Sequence, residues 1–202
     1  MSRRWLLLIY TVPTTPSRTR AYVWREIRRK GALLLRDGVA ALPESAAARR
    51  WAHEAAKRIA SGGGTATASS ATFGTADERR LISAFQVERE REYAEIRSSC
   101  AGLQAHIARE REHAEFSFEE LEELEADLGK IQRWFAEVRE RDWFKARAAH
   151  AAERALASCG RRLRGFAERA SQVDLAARTL GPLARRRPAE GTAGRANRRV
   201  RG

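Results

Sequence analysis

The hydrophobic period of this chain changes once, near residue 75, and that change limits the architectures open to it. Before it, short apolar runs alternate with helical stripes. After it, apolar residues recur every 3.5–3.6 positions for about a hundred residues. The first 74 residues read as strand, helix, strand, strand, helix, strand. Trp5–Val12 is a continuous apolar run, as expected of a strand buried on both faces, and Pro13 and Pro16 close it. A helix then runs to Lys30 and stops at Gly31, with Val23, Trp24 and Ile27 as its apolar stripe. Asp37-Gly38 between two apolar runs signals a hairpin. Ser45 opens a second helix with Trp51, Ala55 and Ile59 at core spacing, so Trp24 and Trp51 are both expected in the core. Gly62–Gly64 end that helix, and TATASSATF follows as an edge strand. This βαββαβ order is the ferredoxin-like arrangement, with both helices on one face of a four-stranded antiparallel sheet. The other face must be covered by the helical region or by a second subunit.

The fold class is therefore α+β: a ferredoxin-like domain over 1–74, then an antiparallel, coiled-coil-like helical region over 75–174. The chain's 202 residues hold one compact domain and an appendage, hardly two full domains. Apolar spacing and breaks predict three helices, at 77–114, 118–140 and 143–172. Ser117 with Glu120 makes a capping box, and Asp142 is an N-cap candidate. Phe118, Phe144 and Val173 are placed on the apolar seam. Residues 175–202 are rich in Gly, Pro, Ala and Arg without periodicity, and read as a basic disordered tail.

Charge narrows the partners. Residues 1–74 carry 13 Arg/Lys against 4 Asp/Glu, whereas 75–175 carry 18 against 21 and 176–202 carry 8 against 1. A chain basic at both ends favours a polyanionic partner, with a coding bias toward Arg and Ala as the bland alternative. The candidate anion-binding residues are Arg18, Arg20, Arg25, Arg28, Arg29 and Lys30 on the first helix, with Arg49 and Arg50 on the second. With Thr14, Thr15 and Ser17 beside a helix N-terminus, three readings stand open: a DNA phosphate contact, a small-oxyanion pocket, or a solvated face. No helix-turn-helix is evident, so the sequence does not show base-specific readout. His106, Glu110 and His113 stand at i, i+4 and i+7 along one helix side, a spacing that can hold a metal but more often marks a solvated Arg/Glu-rich helix. No metal or cofactor is expected, and no Ser/His/Asp or Cys/His arrangement suggests an enzyme. Cys100 and Cys159 read as small buried residues rather than a disulfide framework. MSRRWLLLIY imitates an export signal but its apolar run is short, and no segment approaches 18 apolar residues, so a cytoplasmic, non-membrane protein is expected.

The stretch WLLLIYTVPTTPSRTRAYVWREIRRKGALLLRDGVAALP resembles the N-terminal domain of the ChrB chromate-resistance regulators. The pieces that carry the likeness are WLLLIY-x-x-P, the R-x-x-x-WR of Arg20 to Arg25, the GA-x-x-L of Gly31 to Leu35, and the DGV-x-x-LP of Asp37 to Pro43. FGTADERRLISAFQVEREREYAEI resembles the family's continuation more loosely. The resemblance implies a DNA-binding regulator of a chromate efflux operon, with DNA and chromate or a related oxyanion as partners, and a homodimer as one assembly. The alternative it leaves is an accessory protein that binds an oxyanion without touching DNA. The family's second globular domain is not matched here. A more distant likeness to small ferredoxin-like nucleases fails where they hold a metal-binding Asp, because this chain has Tyr10-Thr11-Val12.

Overall fold

The computed structural model describes residues 3–15, 17–113 and 116–184, with the backbone only for Ser17, Ala177 and 179–184. The elements run β1 (Trp5–Thr11), α1 (Ser17–Lys30), β2 (Leu33–Arg36), β3 (Val39–Pro43), α2 (Ala46–Ser61), β4 (Thr65–Ala71), α3 (Thr75–His113), α4 (Phe118–Glu140) and α5 (Ala149–Ala184). The four strands form one antiparallel sheet in the order β2-β3-β1-β4. The fold is thus mixed α and β, and mostly helical.

Glycines at positive φ make the turns of the sheet unit. Gly31 (φ 64°) ends α1, and the Ala32 N–H returns to the Ile27 carbonyl at 2.9 Å, the closing bond of a Schellman motif. Gly38 (φ 74°) turns β2 into β3, and its carbonyl accepts the Tyr10 N–H at 2.7 Å. Leu6 and Leu8 alternate onto the sheet face that packs on Val23, Ile27, Trp51, Ala55 and Ile59. Trp24 corrects the expected stripe. It is 60% exposed, because Val23 and Ile27 at i and i+4 already point at the sheet and Trp24 lies about 100° round the helix from Val23.

The second sheet face is covered at one end by the helical region. Trp5 stacks on Phe85 of α3 (centroids 5.7 Å apart) and on Phe144 (5.9 Å), with Phe73 edge-on at 6.1 Å. Glu78 of α3 accepts hydrogen bonds from the Arg3 N–H and from Trp5 Nε1. Farther along this face Ile9, Thr65, Thr67 and Ser69 remain exposed.

The three long helices pack around a second core of Tyr93, Ile96, Cys100, Leu103, Ile107, Leu124, Leu128, Leu156, Leu163 and Phe166. Helix α5 starts six residues later than Asp142 suggested. Trp143 and Phe144 are drawn into the aromatic cluster around Phe85, and Lys145 turns the chain at φ 53°. The Asp142 carboxylate accepts the Ala146 N–H, while Glu90 from α3 receives the Ala148 N–H at the mouth of α5. The end of α5 differs too. It continues to Ala184, so residues 175–184 are helical, and 185–202 lie outside the described residues. Phe118 and Val173, expected on the seam, are about half exposed: Phe118 is the first residue of α4, and Val173 lies in the body of α5, three residues past the buried Ala170. Among the described residues no helix is long and apolar enough to cross a membrane.

Candidate functional site

Helices α1 and α2 lie side by side and antiparallel on the sheet. A Cβ on Gly62, just past the end of α2, would come within 2.2 Å of Thr19 Oγ1 in the first turn of α1. The Arg58 guanidinium of α2 lies 5.6 Å above the Tyr22 ring of α1. The two helices carry ten Arg/Lys and two Glu. All eight expected anion-binding residues are therefore on this one layer, but they are not equivalent. Arg29 is spent on Glu26 through two hydrogen bonds of 2.9 and 2.6 Å, and that bonding holds the Glu26 carboxyl below its usual range. Arg49 pairs with Glu44 at 3.0 Å. Glu44 also accepts from Ser70 and meets Arg4, and its carboxyl is held low chiefly by the Ser70 hydrogen bond, then by Arg49. Arg28 lies 5.3 Å over the Trp24 ring. Lys30 is half-buried. Arg18, Arg20, Arg25 and Arg50 are exposed and carry no ion pair among the described residues. Arg18 and Arg25, seven apart, share one line along α1, opposite the buried Val23 and Ile27.

The loop before α1 shows less than its residue types suggested. Thr14, Thr15, Arg18 and Arg20 are all exposed, and Pro16 and the Ser17 side chain lie outside the described residues.

Where the sheet unit meets the helical unit, the structure assembles a cluster that sequence reasoning missed. Arg89 of α3 is only 6% exposed, a charged residue among core neighbours. Glu92 sits between two guanidiniums, 2.6 Å from Arg89 Nε and 2.6 Å from Arg141 Nη2. The Arg89–Glu92 contact is an ion pair out of line with the N–H, so Arg89 Nε is left without a hydrogen bond. Arg89 Nη1 and Arg141 Nε have no acceptor either. Burial pulls the Arg89 pKa down, Glu92 pushes it back up, and the neighbouring Arg141 cation lowers it again. An arginine stays protonated even so, and the two guanidiniums share the Glu92 carboxylate, with Glu88 and Asp142 adding negative charge nearby. Tyr93 beside them donates to Asp142 at 3.2 Å, and burial raises its phenol pKa further than that carboxylate does. A cleft of about 220 Å³ opens beside the cluster, bordered by Arg89, Arg28, Trp24, Gly31, Leu33 and Glu88. The signal for Arg89 was present in the sequence. Phe85, Arg89, Tyr93 and Ile96 follow helical core spacing, so an arginine occupies a seam position.

Of the three residues with metal-like spacing, His106 and Glu110 come together and His113 stands exposed. Glu120, from the first turn of α4, takes the third place beside them. Cys100 and Cys159 are both fully buried across α3 and α5. Cys159 Sγ donates to the Cys100 carbonyl at 3.4 Å, and burial pushes the Cys100 thiol up to about 12.

A family model described as "Protein ChrB, N-terminal" matches residues 20–176. No curated protein and no solved structure matches the chain.

Proposed function

The chain belongs to the ChrB N-terminal family and is a chromate-resistance-associated protein; from that premise we propose that it is a DNA-binding regulator of the chromate response. The observation that carries this reading is the set of exposed guanidiniums of Arg18, Arg20, Arg25 and Arg50 on the α1–α2 layer, which carry no ion pair among the described residues. A backbone phosphate recruits such groups without reading sequence, and Arg28 on its Trp24 ring adds a flat cationic edge. The sheet unit is read as ferredoxin-like on the strength of its strand order, and the helical unit as its antiparallel, coiled-coil-like support. The reading assigns a cytoplasmic location and no catalytic role.

Anisotropy of labelled upstream duplex across a salt series tests it. Removing one phosphate-bound cation should flatten the slope of log K against log salt by about 0.9, so Arg18→Ala/Arg25→Ala/Arg50→Ala should flatten it by up to about 2.7. An unchanged slope in the triple variant would show that the DNA contacts lie elsewhere.

A second reading rests on the Arg89 junction, where the Arg28 and Arg89 guanidiniums border a cleft together with Glu88 and Glu92, and Arg89 Nη1 has no acceptor among the described residues. There the protein binds a tetrahedral oxyanion such as chromate. Sulfate at millimolar concentration should then raise the thermal midpoint of the wild type but not of Arg89→Met.

A further inference from the structure

We propose that His106, Glu110 and Glu120 form a binding site for one divalent first-row transition ion that clips α3 to α4. The proposal is independent of whether the chain binds DNA. His106 Nε2 lies 3.5 Å from Glu110 Oε1 and 3.1 Å from Glu120 Oε1, and the three donor atoms all fall within 4.8 Å of one another. Donors held about 2.1 Å from a shared ion, at octahedral to tetrahedral angles, stand about 3.0–3.4 Å apart. The 3.1 Å edge falls within that range, and the 3.5 Å edge lies just above it.

Two further features separate an ion site from a histidine that merely bridges two carboxylates. The first is orientation. Glu120 Oε1 is shut off from solvent and accepts no hydrogen bond, although the imidazole nitrogen is only 3.1 Å away. A protonated His106 bridging the pair would aim an N–H at one of the oxygens. Here no N–H lies along the contact to Glu120 Oε1. The second is the start of α4. Ser117 Oγ accepts the Glu120 N–H at 3.1 Å, which is half of the expected capping box. The reciprocal half is not made, because the Glu120 carboxylate reaches across to His106 on α3 instead of back to Ser117.

The donor set also selects the ion. One imidazole and two carboxylates suit Zn²⁺, Mn²⁺, Fe²⁺, Co²⁺ or Ni²⁺ better than Ca²⁺ or Mg²⁺, which prefer oxygen alone. Two carboxylates beside a neutral imidazole leave two negative charges that a divalent ion balances. All three side chains are partly exposed, which gives the ion an entry path and leaves coordination positions for water.

The test is calorimetric titration of Zn²⁺ into the untagged, chelator-treated full chain. One equivalent should bind to the wild type and raise its thermal midpoint. Glu120→Gln and His106→Gln should each weaken that binding by more than about 100-fold, beyond what loss of an outer-shell partner costs, and should lose the thermal shift. His113→Ala should bind as the wild type does. Glu120→Gln is isosteric and keeps its place in the helix; if its far-UV spectrum departs from the wild type, Glu110→Gln, in the body of α3, carries the same test. Unchanged affinity and stoichiometry in the Gln variants, or no binding to the wild type by millimolar Zn²⁺, overturns the site.

Discussion

Replacing Gly31 with Ala probes the joint between the two units at its tightest point. Gly31 sits at φ 64°, where a Cβ meets the following carbonyl and costs about 1–2 kcal/mol. The added methyl would also stand 2.6 Å from Arg89 Nη1 and 2.7 Å from Arg141 Cδ. Both arginines are held through Glu92, so neither moves without straining the other's ion pair. Overpacking of a dense site costs about 1–3 kcal/mol. Together the two effects predict a loss of about 2–5 kcal/mol, or a fall in Tm of about 4–20 °C for a chain of this length. Gly63→Ala supplies the control. Gly63 has φ 80° but only Pro13 Cγ at 3.9 Å near its missing Cβ, so it carries the backbone cost alone. Urea denaturation followed by circular dichroism measures both variants. Gly31→Ala should be the worse by about 1–3 kcal/mol, and Arg89→Met should narrow that gap by removing one of the crowded groups. Equal losses at the two glycines would refute the packing of Arg89 and Arg141 against the end of α1.

Phe85→Ala should cost about 3–5 kcal/mol, because Phe85 is buried among Trp5, Trp143 and Phe144 and its loss opens a cavity where the sheet meets α3; a loss below about 1 kcal/mol in denaturant titration would mean that the aromatic cluster does not couple the units. Burial pushes the Cys100 thiol up from its ordinary 9.0 to about 12, so its contribution to stability is complete below pH 9 and is lost as pH rises toward about 12, with the raised Tyr93 phenol acting in the same direction. Native protein at pH 8 should accordingly leave both thiols unreactive toward Ellman's reagent, with two reacting on unfolding.

Particular residues show how much the sequence disclosed. Gly31 and Asp37-Gly38 fixed the ends of α1 and the β2–β3 turn, since only a few residue types accept positive φ and no distant contact is needed to explain them. Val23 and Ile27, Trp51 and Ile59 marked the helix faces that bury against the sheet, and the change of period near residue 75 marked where the helices take over. These are local properties, carried by a residue and its near neighbours. The exposed arginines of α1 and α2 were legible for the same reason, because charge on a helix surface follows from spacing alone.

Tertiary structure decided whatever depended on competition between distant groups. Asp142 has the chemistry of a helix N-cap, but Trp143 and Phe144 gain more by packing on Trp5 and Phe85, so α5 starts later and Glu90 of α3 receives a free N–H beside its first turn. Glu120 completes only half of its capping box, since His106 lies opposite. Arg29 and Arg49 have the same side chain as Arg18 and Arg50, yet Glu26 and Glu44 neutralise the first pair and leave the second open to a partner. Arg89 looked like one more charge on an Arg/Glu helix until the end of α1 and the end of α4 closed over it. Spacing determined which residues each helix presents on one side; only the folded arrangement determined which of them lose water, and that loss is what turns an ordinary charge into a site.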